Sequence, residues 1–297
     1  MDWLTNERKR KNRVCAGDDQ MNQSGIALIA GPFVGEFGWE LMRWQSYVRA
    51  LSKDFDRTII YSRPDREFLY RDFADEFCAH DPGTSDGSIY SLPMGISGKG
   101  VNLFAERNDS TVRINPKNKA TVDKAFKGVT PIWRAYGDAG PNGRKRGVVC
   151  IHARKVSSAW DSKESRNWPE GNWDDLVRGI DMPIIAIGHP EQSICPRGVS
   201  SDMRGASLEA LANTLSLALC LVGPSSGPMH FAALCGCPQV VWVGDDPDGK
   251  LKRRYLVDWN PLGEDVYIVP SGSDWNPAVL GVRAGIWACI YGEQKNG

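Results

Sequence analysis

Three short runs in this chain carry side chains suited to holding a phosphorylated group. The first is Gly223-Pro224-Ser225-Ser226-Gly227-Pro228-Met229-His230. Its two serines offer hydroxyls, and the start of a helix beyond them offers backbone N–H groups and a positive dipole end, a natural cradle for a pyrophosphate. The same serines also read as ordinary turn and cap residues. His230 falls one turn into that helix, where it could donate to the same phosphate or be a packed, hydrogen-bonded histidine. The second run is His152-Ala153-Arg154-Lys155, an imidazole and two fixed positive charges just past an apolar strand. Arg154 could grip a phosphate bidentately. The alternative is a solvated strand end paired with Asp161 or Glu164. The third is Gly31-Pro32-Phe33-Val34-Gly35-Glu36-Phe37-Gly38, with Glu40 four residues after Glu36. A carboxylate on a glycine loop could take the proton of an attacking hydroxyl, a contribution of about 10²–10⁴ in rate. Either acid could instead complement a helix dipole. Glu36 is the better base candidate, because it sits in the loop and Glu40 falls inside the helix.

Other chemistries lack their residues. The glycine spacing of the first loop is not GxGxxG, and no GxxxxGK[ST] run is present, which argues against a P-loop nucleotidase. Asp245-Asp246-Pro247-Asp248 imitates a metal-binding DxD but fits a loop equally well, so no metal and no cofactor are expected. The eight cysteines include no CxxC pair. Cys150, Cys220, Cys235 and Cys289 stand in apolar strand or helix contexts, as free thiols in a reducing compartment do. Formal net charge is zero, so no global field favours nucleic acid or membrane. Arg8-Lys9-Arg10-Lys11 with Arg13 reads as a solvated tail, with a weak anion-binding arm as the alternative. The charged start and the lack of a membrane-length apolar window point to a cytoplasmic protein.

The elements that must position these residues alternate strand and helix. Gly25–Ala30, Arg57–Tyr61, Gly147–Ile151, Pro183–Gly188, the run around Leu221 and Gln239–Val243 read as strands. Helices are expected from near Trp39 through Leu41, Trp44, Val48 and Leu51, over Pro64–Phe77, after an Asn167-Trp168-Pro169-Glu170 cap, over Ser207–Ala212, over Met229–Leu234 and within Asn276–Tyr291. The pattern is α/β. In such folds His152, His189 and His230, at strand ends or helix starts, converge on one crevice. The chain of 297 residues divides into a polar tail (1–23), a first domain (24–137), a Gly/Pro-rich linker (138–146), a second domain (147–275) and a terminal helix and tail (276–297). The stretch from Asp81 to Pro116 has no clear period. Most of the eleven tryptophans are expected to pack the core, with Trp39 or Trp44 available to line an acceptor pocket.

The run Val222–Ala233, followed by Gly236, Pro238 and a strand ending at Gly244, resembles the donor-site motif of the ADP-heptose:lipopolysaccharide heptosyltransferases. The Trp168-Pro169-Glu170 and Ser207–Leu211 helix starts are similar to segments of the same family, so the resemblance covers about half the chain. It implies a GT-B fold, two Rossmann-like domains with mostly parallel sheets facing across a cleft. It also implies that Ser225, Ser226, Gly227, Pro228, Met229 and His230 embrace the diphosphate of a nucleotide-sugar donor, with Glu209 bordering its ribose, and that transfer inverts the sugar. Where the family has Gly-Asp, this chain has Gly35-Glu36. The reading is a metal-independent glycosyltransferase with Glu36 as base and His152, Arg154, Lys155 and His230 around the departing diphosphate. The acceptor hydroxyl could belong to a glycan, a lipid-linked sugar, a protein or a hydroxymethylated nucleic-acid base. A nucleotide-sugar epimerase or hydrolase on the same scaffold, and a non-catalytic nucleotide-sugar-binding protein, are the alternatives.

Overall fold

The computed structural model describes residues 26–33, 35–79, 111–114, 125–139, 147–156 and 166–292. The Arg8–Arg13 run, most of the Asp81–Pro116 stretch, residues 140–146 and both Asp161 and Glu164 lie outside them. The chain forms two compact units. One comprises Met1–Phe33, Leu51–Asp81 and Gly98–Lys127, the other Val34–Ala50, Pro82–Ser97 and Gly128–Gly297.

The smaller unit is a parallel sheet of β1 (Ala27–Ala30), β2 (Arg57–Ser62), β3 (Glu76–Ala79) and β4 (Thr111–Ile114), in the order β3-β2-β1-β4. Strand β1 is buried along its whole length, as a central strand covered on both faces must be. Ile29 pairs with Ile59 in register, and both pack with Cys78 of β3. The helix expected over Pro64–Phe77 is corrected here. A 3₁₀ turn occupies Pro64–Leu69, and the chain then returns to the sheet as β3. The Asp75 carboxylate accepts the Thr58 N–H at 2.8 Å, and Arg57 pairs with Glu76 at 2.5 Å. These contacts draw the segment alongside β2, and ladder pairing with burial of Cys78 overrides its helical spacing.

The larger unit carries β5 (Val149–Ile151), β6 (Ile184–Ala186), β7 (Ser201–Asp202), β8 (Cys220–Pro224), β9 (Gln239–Trp242) and β10 (Val266–Ile268). All pairings are parallel, in the order β10-β9-β8-β5-β6-β7. Numbered within the unit this is 3-2-1-4-5-6, the Rossmann order, which reverses direction between β5 and β8. One face is filled by Val149, Ile151, Val222, Val240 and Trp242 against Trp168 and Trp173. The Trp168 and Trp173 rings meet edge to face at 4.9 Å, and Trp168 Nε1 donates to Pro277 O at 3.0 Å. On the other face, Met229 of the helix Gly227–Leu234 comes against Gly223 of β8. The terminal helix is Val279–Tyr291, and Ser207 caps the helix Leu208–Leu217 through a 3.2 Å bond from the Ala210 amide. Asn167 does not cap the helix Glu170–Arg178 as expected. Its Oδ1 accepts from Arg154 Nη1 (2.7 Å) and the Val156 amide (3.0 Å), and its Nδ2 donates to Val156 O (2.7 Å), clamping the loop after β5.

The segment after Val34 belongs to this unit. It starts as a helical turn Phe37–Trp39, widens to a π turn at Glu40–Trp44 and continues as a helix over Gln45–Leu51. Arg49, 4% exposed, fixes it: its guanidinium donates to Tyr136 Oη (3.0 Å), to Ile132 O (3.2 Å) and to Gln45 Oε1. Tyr136 in turn donates its backbone N–H to Leu234 O at 2.8 Å.

Candidate functional site

In a Rossmann sheet the ligand crevice opens beyond the carboxyl ends of the strands where their order reverses. Here those are β5, continued by His152, and β8, continued by Ser225 and Ser226. The backbone ladder carries His152 past the strand end, its N–H donating to Val222 O at 2.9 Å. Its side chain then crosses the gap: His152 Nδ1 lies 2.9 Å from Ser226 Oγ. Gly188, with φ +127°, closes over the imidazole, and a Cβ there would come within 2.8 Å of His152 Cδ2. Burial, with the Arg154 charge adding to it, pushes the His152 pKa down to about 3, so the ring is neutral.

Ser226 is the residue before the helix Gly227–Leu234, yet its hydroxyl makes no cap bond to that helix. It is held by His152 instead. The first amides of the helix therefore have no intrahelical partner and no side-chain cap. A hydroxyl that would ordinarily satisfy them has been turned aside, which leaves the positive end of the helix uncapped, an arrangement that suits an anion.

The neighbouring hydroxyl is ordered by Tyr255, a residue that no sequence pattern singles out. The Ser226 N–H donates to Tyr255 Oη at 3.3 Å, and the Tyr255 O–H donates to Ser225 Oγ at 3.0 Å. An amide only donates, so the tyrosine oxygen accepts from it and its one proton goes to Ser225. The serine's own hydrogen is left to point elsewhere. Burial pushes the Tyr255 pKa up to about 12, which keeps the phenol protonated.

His230 stacks on Tyr255 (4.7 Å between rings) and meets Trp259 edge to face (4.5 Å). Burial, followed by the charge of Arg254, pushes its pKa down to about 3. It is a neutral imidazole, able to offer an N–H but no charge. Nε2 is 3.5 Å from Tyr255 Oη, and the buried Nδ1 has no hydrogen-bond partner.

Two glycines let the Glu36 segment reach the same place. A Cβ on Gly38 would lie 2.9 Å from His230 Cδ2, and one on Gly227 would lie 3.0 Å from Phe37 Cδ1. Phe37 also packs on Phe231 at 5.7 Å, and Trp39 meets Trp259 edge-on at 5.3 Å. Glu36 directly precedes the helical turn, its carbonyl accepting the Trp39 and Glu40 amides at 3.0 and 3.1 Å. Its side chain makes no cap bond and is half-buried, whereas Glu40 is 1% exposed.

The remaining sequence candidates take varied positions. Arg154, 8% exposed, is held by Asn167, and Lys155 pairs with Glu170 at 2.5 Å in an exposed contact of the kind that contributes little. Gly227 and Pro228 form the first turn of the helix, and the Met229 side chain is fully buried against Gly223, which leaves only its backbone for a ligand. Glu209 is exposed in the first turn of its helix. His189 does not join the other two histidines: its exposed ring accepts the Glu191 amide at 3.2 Å. Asp246 accepts the Lys252 amide at 2.8 Å, capping the helix Lys250–Arg253, and Asp248 pairs with Lys250 at 2.7 Å. Among the described residues no three His, Cys, Asp or Glu side chains form a metal-binding group. Sequence reasoning missed Tyr255, Trp259 and Arg254. They lie about thirty residues beyond the serines, in a stretch whose visible signal is only its basic charge.

Three solved structures share this architecture at low identity. They are the glycosyl transferase family 9 protein of Veillonella parvula DSM 2008 (11% identity, 90% of this chain and 97% of that one, TM-score 0.54), E. coli ADP-heptose lps heptosyltransferase II (15%, 91% and 99%, 0.55), and E. coli heptosyltransferase WaaC with ADP (12%, 89% and 99%, 0.54). The fold is GT-B. No protein-family model matches the chain, and no curated protein matches its sequence. At these identities the GT-B likeness defines the fold, two Rossmann-like α/β units. No helix among the described residues is long and apolar enough to cross a membrane.

Proposed function

We propose that the chain is a glycosyltransferase that moves a sugar from a nucleoside-diphosphate donor to an acceptor hydroxyl. One observation carries the reading: Ser226 Oγ is turned to His152 at 2.9 Å, which leaves the first amides of the helix Gly227–Leu234 uncapped at the switch point of a Rossmann sheet. An anion of diphosphate size suits that arrangement. Two solved structures of similar fold hold ligands of this class, E. coli heptosyltransferase WaaC with ADP and the same enzyme with ADP-2-deoxy-2-fluoro heptose.

In this mechanism the Glu36 carboxylate takes the acceptor O–H proton as the acceptor oxygen bonds to the anomeric carbon. The bond from that carbon to the diphosphate oxygen breaks, and the nucleoside diphosphate leaves with the electron pair. The helix amides, the Ser225 hydroxyl, a neutral His230 N–H and the Arg154–Lys155 strand end stabilise its charge. Electrostatic stabilisation of this kind is commonly the largest catalytic contribution. Glu209 borders the donor ribose, and no metal is called on. The buried thiols Cys150 and Cys220, outside any disulfide, favour a reducing, cytoplasmic setting.

A thermal-shift screen against UDP-, GDP-, ADP-, TDP- and CMP-sugars tests the reading. A donor present at a hundred times its Kd stabilises the folded chain by about 2.7 kcal/mol. One sugar nucleotide should raise the melting temperature by several degrees, and Glu36→Gln should keep that shift while losing transfer. If no compound in the panel shifts the transition, the donor reading fails.

A further inference from the structure

The π turn Arg254–Asp258 follows the helix Lys250–Arg253, and Arg254 differs from four of the cations around it. Lys250 pairs with Asp248, Arg253 with Asp258 and Lys155 with Glu170, while Arg154 is bound to Asn167. The Arg254 guanidinium has no carboxylate or hydrogen-bond acceptor among the described residues. It is nonetheless held in place. Its Cζ lies 4.3 Å from the centre of the Trp259 ring and 5.9 Å from that of Trp39, a half-buried position shared by two indoles. The same Trp259 touches His230, and the next residue, Tyr255, orders Ser225 and Ser226. The charge is close enough to disfavour a proton on His230. A stacked guanidinium keeps its edge and its N–H donors free, the geometry that suits phosphoryl oxygens.

We propose that Arg254, stacked on Trp259 with Trp39 alongside, is a binding residue for a phosphoryl oxygen of the donor's nucleoside diphosphate and adds a full positive charge to that site. The proposal rests on the diphosphate-donor reading above. It gives the cluster a division of labour: the helix amides and Ser225 hold the anion by neutral dipoles, and Arg254 adds a full charge to those of the Arg154–Lys155 strand end. It also gives Trp259 a positioning role, since a flexible arginine held by stacking has less freedom to lose when it binds.

The test is calorimetric titration of the full chain with ADP, GDP, UDP, CDP and TDP, and with the matching uncharged nucleosides, for wild type, Arg254→Gln and Arg254→Lys. A charge-assisted pair to phosphate is worth about 10- to 100-fold in affinity. Arg254→Gln should weaken the preferred diphosphate by that factor and leave the nucleoside within about twofold. Arg254→Lys should recover part of the loss, since it restores charge without the planar fork. Unchanged diphosphate affinity in Arg254→Gln would overturn the assignment and leave the donor reading standing. Equal loss for nucleoside and diphosphate would reduce Arg254 to a structural role. Wild type binding none of the five diphosphates would overturn both.

Discussion

His152 Nδ1 and Ser226 Oγ, seventy-four residues apart in sequence, meet at 2.9 Å across the gap between β5 and β8. The contact joins the two strand ends that define the crevice of the larger unit, and it diverts the one hydroxyl placed to cap the helix behind it. The helix start is thereby left without a cap from Ser226. Cap serines normally contribute about 1 kcal/mol to their own helix. Here that stabilisation has been given up at one position, and local rules broken without a structural gain tend to mark function.

Tyr255 stands behind both serines. Replacing it with phenylalanine removes the acceptor of the Ser226 N–H and the donor to Ser225 Oγ together. Tyr255→Phe should lower stability by about 1–3 kcal/mol. It should also weaken diphosphate binding, because Ser225 is then free to turn its proton inward. A double-mutant cycle with Ser225→Ala, read by donor affinity, should show coupling of about 1 kcal/mol. Strict additivity would mean that the tyrosine does not act through the serine.

Arg49 holds the Glu36 segment from the far end. Its loss removes the donor to Ile132 O and leaves the buried Tyr136 hydroxyl and Gln45 Oε1 with only their mutual 3.2 Å bond. Arg49→Ala should cost about 2–5 kcal/mol in urea unfolding. Sugar transfer in the folded fraction should fall further than donor affinity, since the base is displaced while the helix amides remain. A stability change under about 0.5 kcal/mol would place the arginine among ordinary surface residues.

Acid should destabilise the protein through its buried histidines. His152 and His230 have folded pKa values of about 3 against 6.5 when exposed, both because burial opposes the charged ring. Between those values the unfolded chain binds the extra protons, so stability is full above about pH 6.5 and falls as the pH drops toward 3. Each histidine contributes roughly 1.4 kcal/mol per pH unit in that window. Urea midpoints from pH 6.5 to 4.5, above the range where ordinary carboxylates dominate, should decline with that slope. His152→Gln should remove about half of it. A flat profile would show that the rings are not buried neutral.

The strand, turn, helix and strand from Cys220 to Trp242 were legible in sequence, because apolar runs punctuated by Gly223-Pro224 and Gly227-Pro228 leave the backbone few choices. The α/β alternation was legible for the same reason. Pro64–Phe77 misled because spacing reports a preference for one face and says nothing of an empty sheet edge beside β2. Asn167 misled likewise: a good cap residue found stronger partners in Arg154 and Val156. At the site, His152, Ser226 and His230 announced themselves by residue type at strand ends and a helix start. Tyr255, Trp259 and Arg254 did not. Their roles come from the fold returning a distant segment to the turn, and within the local sequence they belong to a run of cations and apolar residues like many surface stretches.

The proposed function requires a nucleoside diphosphate to bind the larger unit at the turn from Ser225 to His230. A crystal structure of the protein with the diphosphate preferred in the binding screen tests this most directly. Phosphate oxygens are expected at about 3 Å from the Gly227 and Met229 amides, with the Ser225 hydroxyl donating to the same group. A diphosphate bound elsewhere on the chain, with those amides still facing water, would contradict it.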